Sequence, residues 1–449
     1  MCLRKFIFSC ILFSVINNCA GQQYNNWYFG KKAGLSFNNP GLSGPAVLYN
    51  GAMSVAYSGT SAISDTAGSL LFYTDGITVY NRNHFVMQNG NGLAGQIDGG
   101  AQNCIIIQQP GSDNLFYIFT TNTYEDDPGR GYHYSIVDMA RDNGNGAVIT
   151  KNILLSSTAT ERLTAARHAD GINVWLITNS RCSNTFEVWL INCNGLQPNP
   201  VVSKAGEVLG SCYTVGGTIY ADATVDGMMK VSPDGKQLCQ TQGGDAFDSL
   251  RFFQLFDFDN TSGTIFNPRK IFYDNEHTRH FEYSPDSKYL YITRYKLFSQ
   301  SEPVHYSIDQ LEAKLSTETA IIASKVRVDS CLGSTCVIDI TSLQSAPDGK
   351  IYLARGYNRL SVINYPNIKG LGCKLQLEKI DLTRSSSVLP NMINDAAFDP
   401  YNNFTATVID SCNGRVQFNG QTAMPGAIQW LWDFGDGTTS NLQNPQHNF

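Results

Sequence analysis

A chain of 449 residues with 42% hydrophobic and 11% aromatic residues holds ample material for a core, which excludes a disordered polymer. Charged residues are only 16%, 32 basic against 38 acidic for a net charge of -6, so no broad basic field exists to grip nucleic acid. No stretch beyond the amino terminus approaches the roughly 20 apolar residues of a membrane-spanning helix.

Arg4 and Lys5 precede an apolar run from Phe6 to Ile16, and the small residues Cys19, Ala20 and Gly21 follow. This is the layout of a secretory signal peptide, so residues 1–21 are set apart and export to the cell surface, the medium or the periplasm is expected. Three of the twelve cysteines fall in this leader; the other nine are read first as disulfides. Cys182 and Cys193 flank a predicted strand, and Cys331 and Cys336 bracket a short loop; both pairs are candidate local bridges. Nine is odd, which leaves one thiol over. Zinc is the lesser reading, because Cys331 and Cys336 have no second Cys or His pair nearby.

Next come two short predicted strands, around Trp27 and Leu35. Farther on, one phrase recurs three times: Met-Lys-Val-Ser-Pro-Asp-Gly-Lys-Gln-Leu from Met229, Phe-Glu-Tyr-Ser-Pro-Asp-Ser-Lys-Tyr-Leu from Phe281, and Leu-Gln-Ser-Ala-Pro-Asp-Gly-Lys-Ile-Tyr from Leu343. Each copy reads as strand, turn, strand. Pro233, Pro285 and Pro347 preset φ for a turn, and Asp234, Asp286 and Asp348 can bond their own backbone. Asp65, Asp113 and Asp170 mark weaker copies that keep the acidic turn and lose the proline. These six aspartates are 48, 57, 64, 52 and 62 residues apart. His133-Tyr134-Ser135-Ile136 returns as His305-Tyr306-Ser307-Ile308, each in a predicted third strand. Only 308–316 and 158–166 look briefly helical.

Such periods, with about four strands each, define propeller blades. Six turns plus the amino-terminal strand pair predict an all-β chain with a seven-bladed β-propeller over 22–400, six and eight staying open. Pairing of strands from both ends is expected to close the ring. After residue 400 the pattern changes, and Trp430, Trp432 and Phe434 alternate as in a sandwich strand.

Trp432-Asp433-Phe434-Gly435-Asp436-Gly437, followed by Thr438-Thr439-Ser440 and Asn444-Pro445, resembles the signature of the PKD domain. The resemblance implies an immunoglobulin-like β-sandwich over 401–449, truncated to its first half. The larger part is similar to secreted Bacteroidetes proteins in which a WD40-like (PD40-type) propeller precedes PKD modules, a family associated with gliding motility and its secretion route. That resemblance rests on Asn26-Trp27-Tyr28-Phe29-Gly30, Ala33 to Phe37, the Pro-Asp turns, Phe256 to Asp259 and Leu389-Pro390-Asn391. It implies export and surface display.

The densest polar cluster is Glu276-His277-Thr278-Arg279-His280, just before a predicted strand. Glu276, His277, Arg279 and His280 are the candidate ligand-binding loop, against a bland reading as a solvated connection. Asp257 to Gly263 has calcium-like acids but lacks a bidentate Glu and the EF-hand spacing, so a hairpin is expected. No nucleophile elbow, zincin helix, Walker loop or dinucleotide fingerprint occurs. The expectation is therefore a non-enzymatic surface adhesion module without cofactor or metal, its partner a glycan or protein. The alternative is a secreted carbohydrate-active or peptide-hydrolysing enzyme with its site on the channel face.

Overall fold

A computed structural model describes residues 22–448 except 42–43, 55–58, 97–101, 124–129, 209–211, 216–217, 222–226, 242–251, 273–276, 297–304, 333–341, 356–357, 385–387, 395–401, 411–414, 423–431 and 435–437. The described chain is almost wholly β. Five sheets alternate along it with an eight-stranded one: three strands over 26–48, eight over 61–156, five over 163–204, then four each over 229–272, 277–332 and 342–381. The eight-stranded sheet is two antiparallel meanders, 61–91 and 104–156, joined through the single parallel pair Ala147 and Gln88. A separate pair, Cys212–Val215 with Thr218–Ala221, stands between the sheets of 163–204 and 229–272.

The arrangement is propeller-like because the first strand of each meander lies innermost and packs on the next. Asn26–Phe29 meets Ser61–Ser64, which meets Cys104–Gln108, then Leu163–Arg167, then Met229–Val231. His277–Tyr283 packs on Ser342–Ser345 in the same way. Faces of neighbouring sheets bury one continuous apolar set that runs from Trp27 and Phe29 through Ile105, Phe119 and Leu176 and back to Tyr352 and Leu360. Aromatic side chains fill the wedge between sheets, as the 22 Tyr and 24 Phe suggest.

The repeated phrase folds as expected at its turn. Ser232 and Ser284 accept the N–H of Gly235 and Ser287 at 2.8 Å, which makes Pro and Asp the two central residues, and Gly235, Ser287 and Gly349 take φ of 69°, 61° and 68°. Asp234 and Asp286 each accept a hydroxyl from the serine two residues earlier at 2.6 Å. In the third copy Ala346 removes that hydroxyl, and Asp348 accepts from Tyr352 Oη at 2.7 Å instead. Asp65 and Asp170 also cap turns, accepting N–H groups of Ala67 and Ser69, and of Ile172 and Asn173.

Three expectations change. At the 109–115 turn the acceptor is Ser112 Oγ, not Asp113, and the proline is not lost: Pro110 precedes Gly111 at φ 76°, inside a turn closed from Ser112 N to Gln109 O. Of the helix-like stretches, 308–312 and 163–166 lie in the strands His305–Glu312 and Leu163–Arg167; among the described residues the α-helix is Glu318–Ala323, capped by Thr317 Oγ1 accepting from Ala320 N at 3.2 Å. Local propensity loses there to buried strand pairing. Among the described residues, no strand of one chain end pairs with a strand of the other: the first sheet, 26–48, meets the last, 342–381, through Trp27 and Phe37 against Tyr352, at ring separations of 5.8 and 5.5 Å.

Beyond residue 401, Asn402–Asp410, Arg415–Thr422 and Gln446–Asn448 form one sheet, and Trp432–Asp433 pairs with Thr439–Ser440. Phe418 lies 5.4 Å from both Trp432 and Phe434, and Phe434 stacks on His447 at 4.1 Å. Gly435, Asp436 and Gly437 lie outside the described residues.

Candidate functional site

Neighbouring strands in each meander run antiparallel, so the connection into an innermost strand and that between second and third strands share one end of the ring. The Pro-Asp turns, which join first to second strands, lie at the other. The first end gathers the irregular connections, and the interior below it is filled by the chain's own residues 388–394. Leu389 N–H donates to Ser342 Oγ at 3.2 Å and Asn391 N–H to the Thr60 carbonyl at 2.7 Å. Asn391 Nδ2 donates to the carbonyls of Cys104 and Leu163, and its own carbonyl accepts from Ser61 Oγ at 2.8 Å. One asparagine thus ties the beginnings of three innermost strands together.

Deeper in, Asn394 meets the polar hub of the molecule. Glu282, wholly buried, accepts from Lys230 Nζ, from Asn394 Nδ2 at 2.7 Å, and from the N–H groups of Tyr283 (2.9 Å) and Ser345 (3.1 Å). Lys230 also donates to Gln344 Oε1 and the Leu343 carbonyl, both at 2.9 Å. Every buried charge here is paired and hydrogen-bonded, the condition on which a buried ion pair holds a structure rather than disrupts it. Lys230, Glu282 and Gln344 hold the same place in the three repeated phrases, three residues before the proline.

At the connection-bearing end, Glu161 and Arg162 precede the innermost strand Leu163–Arg167 and are buried. Glu161 Oε1 accepts from Gln96 Nε2 at 3.1 Å, and Gln96 Oε1 accepts from Thr123 N (3.2 Å) and Oγ1 (2.8 Å). Arg162 Nε donates to the Thr241 carbonyl at 2.8 Å. Tyr132 Oη lies 2.9 Å from Thr160 Oγ1 and 3.0 Å from the Arg162 carbonyl; burial first of all pushes its pKa up, so it stays a phenol. Gln102 crosses to the strand Met229–Val231, exchanging two 2.7 Å bonds with the Met229 backbone. This end therefore holds a carboxylate, a guanidinium, a phenol and several amides in fixed positions.

Of the predicted ligand loop, Glu276 lies outside the described residues, while His277 and Arg279 belong to the innermost strand His277–Tyr283. His280 is partly buried, its N–H donating to Thr293 Oγ1 at 3.3 Å. By topology that strand begins at the connection-bearing end. The acids of 257–263 are occupied, as a hairpin requires: Asp257 pairs with Arg269 at 2.6 Å, and Asp259 accepts from Thr261 N and Ser262 Oγ. His168 accepts from Asp170 N–H at 3.0 Å and lies 5.4 Å from the Trp175 ring, a turn and packing role.

The bridge between Cys182 and Cys193 is not made. Cys193 is a free, exposed thiol, and Cys182 is disulfide-bonded to another cysteine. Cys104, Cys239 and Cys373 are free and buried, where desolvation pushes the thiol pKa up and keeps it unreactive. The expected export suggested disulfides for nine cysteines; these three serve as small core hydrophobes instead. Cys336 lies outside the described residues, as does the Cys331 side chain.

Glu161, Gln96, the Lys230–Glu282 hub and the axial segment 388–394 all escaped the sequence reading. A signal existed for the hub, because a long polar side chain stands second in each phrase, directly after an apolar residue.

No protein-family model and no curated protein matches the chain. Solved structures do. The periplasmic gluconolactonase of Pseudomonas aeruginosa is similar at 10% identity and a TM-score of 0.35, over 70% of this chain and 93% of that one. A puromycin hydrolase is similar at 12% identity and 0.37, over 73% of this chain and 44% of its own length. An exo-beta-1,3-galactanase from Phanerochaete chrysosporium reaches 10% identity and 0.32, over 61% of this chain and 58% of its own. The expectation of a non-enzyme is corrected here: enzymes stand among the solved structures to which the chain is similar.

Proposed function

We propose that the protein is an exported hydrolase of carbohydrate or peptide chains whose site lies at the connection-bearing end of the ring. The observation that carries the reading is Glu161, a buried carboxylate fixed through Gln96 to Thr123, where the connections gather. A carboxylate so held is suited to proton transfer. Hydrolysis adds water across the scissile bond: one group takes a proton from the attacking water and another gives one to the departing oxygen or nitrogen. Glu276, adjoining the strand His277–Tyr283, is our candidate for the second group, with His277, Arg279 and His280 contacting substrate.

The test is turnover of a panel of polysaccharides and peptides by the wild type, Glu161→Gln and Glu276→Gln, with melting curves recorded alongside. A loss of about 10² to 10⁴ in kcat with unchanged melting supports the roles. Saturable binding with no turnover by the wild type overturns hydrolysis.

The remaining architecture belongs to the same proposal. Counting the eight-stranded sheet as two blades gives seven, over 22–400. Residues 401–449 belong to a PKD-type sandwich, a reading supported by the Trp432, Phe434 and His447 cluster beside Phe418. A chain of the secreted Bacteroidetes kind, displayed at the surface after removal of 1–21, fits both parts; cell fractionation checks that location.

A further inference from the structure

At the opposite, turn-bearing end, where the first sheet (26–48) meets the meander 61–91, lies a second surface that the hydrolase reading does not use. Three tyrosine rings stack in series: Tyr28 on Tyr73 at 4.5 Å, and Tyr73 on Tyr80 at 5.3 Å. His84 lies 5.2 Å from the Tyr28 ring and closes the stack toward solvent. Its Nδ1 is 3.1 Å from Tyr73 Oη and its Nε2 is 2.7 Å from Asn50 Nδ2, while Asn50 Oδ1 accepts from Tyr28 Oη at 3.1 Å. That lattice fixes two chain segments side by side. The residue next to each fixed one is a large ring turned outward: Tyr49, 54% exposed, beside Asn50, and Phe85, 71% exposed, beside His84.

We propose that Tyr49, Asn50 and Phe85 form a binding platform for a glycan chain, separate from the proposed hydrolytic end. A single exposed apolar side chain needs no explanation; what sets these two apart is that each adjoins a residue fixed in the same hydrogen-bonded lattice, so both rings are displayed on one rigid base. Phe85 is not on a loose tip. Its N–H and carbonyl are bonded to Asn81, and His84 N–H donates to the Asn81 carbonyl at 2.9 Å. The occupant's chemistry follows from what accompanies the rings. Asn50 is exposed and has spent one donor and one lone pair inward, so one of each faces out. The exposed amides of Asn83 and Asn145 are bonded to each other at 2.8 Å close by. An apolar protein partner would strand these groups at a cost of about 1–3 kcal/mol apiece. A sugar offers C–H faces to the rings and hydroxyls to the amides.

The platform does not depend on the hydrolase proposal and is tested separately. Full-length protein, Tyr49→Ala, Phe85→Ala and the double variant are run through affinity gels containing xylan, β-1,3-glucan, soluble chitin or a galactan. Both rings are exposed, so melting should not move. The expected result is retardation of the wild type in at least one gel, about tenfold weaker in each single variant and abolished in the double. Three results overturn the platform: retardation in none of the gels, retardation that survives the double substitution, or a dimer that the double substitution dissociates. Turnover of whichever panel substrate the wild type hydrolyses should be the same in all four proteins; absence of turnover across the whole polysaccharide and peptide panel would sink the hydrolase reading and leave the platform standing.

Discussion

His84 sits at a positive φ of 65°, where a non-glycine side chain is held only if its surroundings insist. Asn50 Oδ1 accepts from Tyr28, so Nδ2 donates to His84 Nε2; the ring proton then sits on Nδ1, facing Tyr73 Oη, which also accepts from Ala52 N–H at 2.9 Å. This tautomer follows from the bonding pattern. Protonation would set an N–H against an amide N–H. Burial accordingly lowers the His84 pKa, while it pushes Tyr28 up to about 12 and raises Tyr73 as well. A histidine depressed on folding contributes stability that is whole above its unfolded value of about 6.5 and is lost as pH falls below it. Melting temperature should therefore drop between about pH 7.5 and about pH 5.5, and drop less in His84→Asn, which tolerates the φ and does not titrate. An equal drop in both proteins would refute the role. None of this was legible in the sequence, because Tyr28, Asn50, Tyr73 and His84 are strung over 57 residues and only folding stacks them.

The hairpin is the element from which the ring is assembled, and the sequence showed it well wherever the turn chemistry was complete. Pro233, Asp234 and Gly235 read as a turn because each is required there: fixed φ, a side-chain acceptor and a positive φ. The weak copy near Asp113 misled because the aspartate drew attention from Pro110 and Gly111, which make the turn. Gly235 is the sharpest test. A Cβ there would meet Asn260 Nδ2 at 2.7 Å on top of the φ of 69°. Gly235→Ala should cost about 1–2 kcal/mol in denaturant unfolding, with an unchanged m-value. Ser232→Ala removes the hydroxyl that Asp234 accepts, and Ala346 already stands at that place in the third copy; its cost should be about 1 kcal/mol. Within the phrase, the position three before the proline was passed over because Lys230, Glu282 and Gln344 look like solvent-facing residues on alternating strands. They face the axis, and only in the ring do they find one another.

Ring closure is decided at the scale of the molecule. Propeller geometry leaves the first and last sheets to hold each other, and the expected exchange of a strand between chain ends does not occur among the described residues. The aromatic contact of Trp27 and Phe37 with Tyr352 supplies apolar burial, and the axial segment 388–394 adds the polar ties. Leu389-Pro390-Asn391 falls inside the stretch assigned to the propeller, yet nothing local marks it as a segment destined for an axis. Asn391→Ala leaves the carbonyls of Cys104 and Leu163 without that donor, which should cost about 2–4 kcal/mol. The stronger test uses chain length. A chain ending at residue 401 keeps the segment and should unfold in one cooperative transition near that of the full ring. A chain ending at residue 387 loses Asn391 and Asn394, uncovers the beginnings of the strands at Ser61, Cys104 and Leu163, and strips the Glu282 carboxylate of one donor. It should melt lower and over a broader range, with amide exchange fastest in 26–48 and 342–381, the sheets that meet without a shared strand. If the two chains unfold alike, contact between the first and last sheets is sufficient and the axial segment merely fills space.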